Sequence, residues 1–139
     1  MVMEIKFYYC RHCGNVIVKF VDAGPIPSCC GEEMEELKAN VTDGKVEKHL
    51  PVVSKINECT LRVDIGSEPH PMTDDHYIEF VFLETEHGGH LHRLNPGVPA
   101  VVTFCCTDKV KRVYSFCNLH GLWKTELCKA CESGKKLDM

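Results

Sequence analysis

The sequence predicts an all-β protein in two parts, a small cysteine-bound knuckle followed by a sandwich of about 90 residues. Three observations carry that prediction. Short apolar segments recur along the chain at the spacing of sandwich strands, and one of them, TLRVDI, alternates cleanly. No window carries a convincing amphipathic helix, and no internal repeat is present. Four of the ten cysteines crowd into residues 5–37, in two pairs each closed by a glycine.

Within the knuckle, Asn15-Val16-Ile17-Val18-Lys19-Phe20-Val21 is a β-like run, and Asp22-Ala23-Gly24-Pro25 turns the chain after it. The polar stretch from Glu35 to Lys48 reads as a linker. Thr60 to Ile65 sets Leu61, Val63 and Ile65 on one face of a strand. Tyr77 to Leu83 is a second strand, Glu86-His87-Gly88-Gly89 a turn, and Leu91 to Leu94 its return. Val98 to Cys106 and Val110 to Phe116 complete the set. The predicted divisions are 1–37, 38–124 and a polar tail, 125–139, with room for one short helical turn.

A chain of 139 residues, 44% hydrophobic and 26% charged, can bury a core of its own. Its net charge of −4, with no interleaving of basic and aromatic residues, argues against a nucleic-acid binder. MVMEIKFYYC lacks the apolar region and cleavage site of a signal peptide. The longest apolar run, VPAVVTFCC (98–106), is too short to span a bilayer. A cytoplasmic protein without membrane contact is therefore expected. In a reducing compartment, ten cysteines beside eight histidines point to metal ligation or redox chemistry rather than a disulfide framework.

Cys10-Arg11-His12-Cys13-Gly14 is a C-x-x-C knuckle, and Cys29-Cys30-Gly31 supplies a second pair. In such a turn both sulfurs can face one metal, while the glycine permits the left-handed residue that the turn needs. Four thiolates in a tetrahedron suit zinc or a single iron equally. Adjacent cysteines share a metal only where the backbone bends sharply, so a bend is expected at Cys29-Cys30.

Cys117 and His120 stand at ligand spacing in FCNLHGLW (116–123), a pattern that by itself fits copper or zinc. His49 precedes a proline, and His70 and His76 lie six apart, the wrong gap for one helix face but suitable for a loop folded around one ion. Each histidine alone reads as a surface residue.

Taken together, C-R-H-C-G (10–14), C-C-G-E (29–32), E-K-H-L-P (47–51), H-P-M (70–72), H-Y-I (76–78) and C-N-L-H-G-L-W-K (117–124) resemble the desulfoferrodoxin family, the two-iron superoxide reductases. The likeness runs from about Phe7 to Lys124. It implies a desulforedoxin-like, rubredoxin-like iron centre held by Cys10, Cys13, Cys29 and Cys30, and an immunoglobulin-like sandwich carrying a second iron. It also implies His49, His70, His76 and His120 as equatorial ligands of that second iron, with Cys117 axial. Glu47 would be the sixth ligand of the oxidised state, and Lys48 would attract the substrate. A homodimer, superoxide as substrate and an external electron donor such as rubredoxin are implied with them.

Four neutral imidazoles and one thiolate on ferrous iron leave a small positive charge and one open position, which marks a catalytic metal. A cationic site near the surface attracts superoxide, and an axial thiolate pushes electron density towards bound oxygen. Two rivals remain on these residues. A blue-copper carrier wants a methionine shortly after the last histidine, whereas Met139 lies nineteen residues beyond His120. A zinc-ribbon binding module accounts for the first site and leaves the second unexplained.

The other cysteines and histidines are assigned plainer places. His87, His90 and His92 are read as a polar hairpin tip, His12 as exposed and Cys59 as a small core residue. Alternation would bury one of Cys105 and Cys106 and expose the other. Cys128 and Cys131, in the tail, form a C-x-x-C that the family pattern lacks, read as a flexible reduced pair in preference to a redox dithiol or half of a metal site.

Overall fold

The protein, described by a computed structural model, is placed over residues 5–41 and 46–127; Cys128 and Cys131 lie outside the described residues. It divides into two compact units, Met1–Lys38 and Ala39–Met139.

The first unit is a cysteine knuckle braced by short strands. β1 (Lys6–Tyr9) pairs with β2 (Val16–Lys19) and with β5 (Glu35–Glu36), both antiparallel. β3 (Ser28–Cys29) pairs with β4 (Glu32–Glu33). β5 thus falls inside the stretch expected to be linker, because its backbone closes the free edge of β1. Around the knuckle, Tyr8, Cys10 and Met34 form a small buried cluster with Cys29 against it.

The second unit opens with a single turn of helix, α1 (Val46–His49), and continues as seven strands. They are β6 (Pro51–Asn57), β7 (Thr60–Ile65), β8 (Ile78–Thr85), β9 (Gly89–Arg93), β10 (Val101–Cys105), β11 (Val110–Cys117) and β12 (Gly121–Glu126). One sheet runs β10-β7-β6 and the other β12-β11-β8-β9. Three strands facing four is the immunoglobulin-like sandwich that the sequence predicts. β12 continues through Glu126, so the first two residues of the expected tail are strand.

Alternation decides which side chains meet between the sheets. Leu61, Val63 and Ile65 face inward from β7, Val102 and Phe104 from β10, and Val81, Leu83 and Val113 from the opposite sheet. Each such aliphatic side chain stabilises the fold by roughly 1.5–3 kcal/mol when fully buried. Within the four-stranded sheet, Arg112 donates to Glu84 at 3.1 Å and to Glu126 at 3.0 Å, and Tyr114 Oη donates to Glu84 at 3.3 Å. Those bonds satisfy a carboxylate that is otherwise buried.

Three expectations are corrected. Cys59 is no core residue: it is exposed in the two-residue turn Glu58-Cys59 between β6 and β7, where its N–H donates to Asn57 Oδ1. His90 and His92 are not at a hairpin tip but on β9, both edge-on to Phe104 at 6.2 and 6.3 Å. The polar stretch before the sandwich ends in α1 rather than continuing as linker. Among the described residues, no helix is long and apolar enough to cross a membrane.

Candidate metal centres

The first cluster is assembled from two turns. Cys10 closes the C-x-x-C turn by donating its N–H to Asn15 O while its own carbonyl accepts from Gly14 N, both at 2.9 Å. Gly14, at φ +86°, supplies the left-handed residue expected there. The second turn bends as adjacent ligands require: Cys30 itself adopts φ +53° and Gly31 +79°. A left-handed conformation at a residue with a Cβ is costly, and it persists where the surroundings demand it.

The four sulfurs lie within 4.8 Å of one another. Cys13 and Cys29 are 3.6 Å apart, and Cys29 and Cys30 are 3.9 Å apart. Metal–sulfur bonds of about 2.3 Å in a tetrahedron put sulfurs about 3.8 Å apart, so the spacing fits one ion. Asn15 Nδ2 donates to Cys29 Sγ at 3.5 Å. The N–H groups of Cys13 and His12 hold the Cys10 thiol down at about 6. Crowding by the Cys13 sulfur, and then by Cys10 and Cys29, pushes Cys30 up to about 12. Four thiols this close cannot all ionise without a cation among them. His12 is exposed, as expected, and its Nε2 is hydrogen-bonded to Glu32.

The second cluster sits at one end of the sandwich, where three segments converge. α1 delivers His49, the loop between β7 and β8 delivers His70 and His76, and the turn between β11 and β12 delivers Cys117 and His120. Gly121, at φ +79°, closes that last turn opposite Cys117.

The four imidazoles form a closed ring of edge-to-face neighbours. Centroids are 4.7 Å apart for His49–His70, 4.8 Å for His70–His76, 5.1 Å for His76–His120 and 4.8 Å for His120–His49. Successive planes are tilted by 68–78°. His49 Nε2 lies 3.1 Å from His120 Nδ1. Metal–nitrogen bonds of about 2.1 Å at right angles put neighbouring nitrogens about 3.0 Å apart. Cys117 Sγ is 3.7 Å from His120 Nδ1, and it lies within 4.8 Å of the donor nitrogens of His49, His70 and His76.

Two buried nitrogens test the fit to a metal. Among the described residues, His70 Nε2 and His76 Nε2 have no hydrogen-bond partner. A buried polar atom left unpaired costs about 1–3 kcal/mol, so two in one cluster point to a partner of another kind. His70 Nδ1 donates to Pro71 O at 2.7 Å, which leaves Nε2 as the lone-pair nitrogen. Burial pushes His70 down to about 4 and lowers His76 as well. Both rings are therefore neutral, the form that binds metal. Cys117 is fully buried, and its thiol is pushed up by that burial, while the N–H groups of Leu119 and His120 act in the opposite direction.

The supporting contacts were not evident from the motifs. His49 stacks on Trp123 with centroids 4.8 Å apart, and its carbonyl accepts from buried Ser115 Oγ at 3.0 Å. Trp123 Nε1 donates to His120 O at 3.1 Å. Asn118 ties the Cys117–His120 turn to the His76 segment: its Oδ1 accepts from Tyr77 N at 2.9 Å, and its Nδ2 donates to Asp75 O at 3.1 Å. Gly66 lets α1 lie close, since a Cβ there would meet Lys48 Cα at 2.7 Å and also the Glu68 carbonyl. Glu47 is exposed and Lys48 half-buried on α1, immediately before His49. The Glu47 carbonyl is fastened by Glu68 N at 2.8 Å and Ser67 Oγ at 3.2 Å.

A third group brings together exposed Glu86 and His87 and half-buried Asp108. There Asp108 is already engaged by the His87 N–H at 2.9 Å, His87 Nδ1 at 3.1 Å and Lys109 N at 2.9 Å, so it serves the turn.

Comparison with known proteins covers most of the chain. Residues 41–126 match the desulfoferrodoxin family. The desulfoferrodoxin of Nitratidesulfovibrio vulgaris is 38% identical over 127 residues, covering 91% of this chain and 99% of that protein. A superoxide reductase from Thermococcus kodakarensis is 34% identical over 105 residues, covering 61% of this chain and 90% of its own. Among solved structures, the superoxide reductase from Treponema pallidum superposes with a TM-score of 0.75 at 34% identity, covering 89% of this chain and all of that one. The matched length, the sandwich and the cysteine and histidine clusters agree: the chain belongs to the desulfoferrodoxin family.

Proposed function

We propose that this chain is a superoxide reductase, converting superoxide, one electron and two protons to hydrogen peroxide. The observation that carries the reading is the closed ring of four imidazoles around two unpartnered buried nitrogens, with the Cys117 sulfur beside it. His49, His70, His76, His120 and Cys117 would hold a catalytic iron, and Cys10, Cys13, Cys29 and Cys30 a second. Iron in the histidine ring would supply the electron that superoxide takes up.

The chain's own groups do the rest. His70 keeps its proton on Nδ1, bound to Pro71 O, so that Nε2 stays free to ligate. Leu119 and His120 point their N–H groups at Cys117, favouring its thiolate form. Lys48 attracts the anion and offers a proton from Nζ in a hydrogen bond to it. Glu47, on the same helical turn as Lys48 and His49, would bring a negative charge to the histidine ring and offset the added positive charge of an oxidised iron held there. An external one-electron donor of the rubredoxin type returns the electron, and the working form is a cytoplasmic homodimer.

Metal analysis with visible spectra tests this. Two irons per chain are expected, one with tetrathiolate absorption and one with a thiolate-to-iron band. Cys117→Ser should abolish superoxide reduction and leave the tetrathiolate bands intact. Zinc in both sites, or full activity in Cys117→Ser, would overturn the reading.

A further inference from the structure

Three cysteines lie outside both clusters among the described residues: Cys59, Cys105 and Cys106. The ladder between β7 and β10 fixes how they stand to one another. Its pairs run Val101↔Asp64, Val102↔Val63, Thr103↔Arg62, Phe104↔Leu61 and Cys105↔Thr60. Just beyond the last pair, Cys106 N donates to the carbonyl of the turn residue Cys59 at 2.7 Å, which sets the two cysteines side by side across the strand ends.

Residues facing each other across neighbouring antiparallel strands have Cα atoms about 4.5–5.5 Å apart. A disulfide spans Cα separations of about 4.4–6.8 Å, so this pair lies within bonding range. Cys105 points to the other face, opposite Thr60, and is not so placed.

The two thiols differ in access. Cys59 is exposed on the turn, whereas Cys106 is half-buried against the sandwich core, with its Sγ donating to Asp108 O at 3.6 Å. An accessible thiol that a peroxide can reach, beside a sheltered one that can resolve it, is the arrangement of a reversible peroxide-sensitive pair.

We propose that Cys59 and Cys106 form a dithiol that hydrogen peroxide closes to a disulfide, linking the β6–β7 turn to the end of β10. Cys59 Sγ attacks one peroxide oxygen, the O–O bond breaks, and Cys59 sulfenic acid and one water result. Cys106 Sγ then attacks the Cys59 sulfur, the S–O bond breaks, and the disulfide forms with loss of a second water. Two thiols lose two electrons, peroxide gains them, and both thiol protons end in water. A dithiol reductant reverses the closure.

Peroxide is also the product of the reaction proposed above. Added peroxide serves the test, however, so failure of one reading leaves the other standing. The full-length, metal-loaded, reduced protein is exposed to a small excess of hydrogen peroxide, alkylated, digested without reduction and mapped by mass spectrometry. The expected result is a peptide linking Cys59 to Cys106, lost on treatment with dithiothreitol and retained in Cys105→Ser. In Cys106→Ser, dimedone should instead trap a sulfenic acid on Cys59. Alkylation of both Cys59 and Cys106 after peroxide would overturn the proposal. So would a link through Cys105, or one between two chains.

Discussion

At the scale of single residues, protonation decides which side chains can serve as ligands. His70, held down to about 4 by burial, is neutral in the folded chain, while an unfolded histidine titrates near 6.5. The unfolded chain therefore takes up the proton first as the pH falls. The stability contributed by neutral His70 is fully present above about 6.5 and is lost as the pH falls towards about 4. His76 is lowered too and acts in the same direction. Thermal melts of metal-free protein should show Tm dropping across that window, with a shallower drop in His70→Gln. Equal slopes in the two proteins would contradict the assignment. Lys48→Ala should slow the reaction with superoxide about tenfold and weaken its dependence on ionic strength, as loss of a steering charge requires. Stopped-flow rates at several salt concentrations check both effects.

Among elements, α1 and the β11–β12 turn carry the site, and both depend on residues that touch no ligand atom. Gly66→Ala would drive a methyl group into the Lys48 backbone at a residue with φ +84°. A destabilisation of about 1–3 kcal/mol is expected, with loss of superoxide reduction as Glu47, Lys48 and His49 shift together. Asn118→Ala removes the bonds to Tyr77 N and Asp75 O, which should cost about 1–2 kcal/mol and weaken metal retention more than it lowers Tm. Urea melts and metal content after dialysis separate these effects. Legibility in the sequence followed the same division. TLRVDI alternates because one face is buried, so β7 could be read directly. PVVSKIN does not alternate cleanly, since β6 is an edge strand with a largely exposed second half. GLWKTE buries Leu122 and Trp123 in succession, on opposite faces of β12, which hides a strand inside a motif. Cys59 was misplaced because its turn lacks glycine; the available signal was Asn57, whose side chain caps it.

Over the whole molecule, the sandwich acts as a rigid mount for loops that meet at one end. The ligand motifs, scattered from His49 to His120, were legible as a set through resemblance; spacing alone left each histidine a surface residue. What only the fold supplies is the closure of four rings into one cycle and the two buried nitrogens left without partners. Leu83→Ala, in the core between the sheets, should cost about 2–5 kcal/mol and lower Tm while leaving the tetrathiolate bands unchanged, because the cysteine knuckle has a small buried cluster of its own. Simultaneous loss of both spectra at the variant's Tm would contradict separate cores.

The most direct test of the account is the stoichiometry of the reaction. Superoxide is supplied to the iron-loaded protein with an excess of a one-electron donor, and hydrogen peroxide and dioxygen are measured together. Reduction predicts one peroxide for each superoxide consumed and no dioxygen released by the protein. Half a peroxide per superoxide with matching dioxygen would mean dismutation, and no consumption beyond the spontaneous rate would mean that the histidine ring serves another purpose.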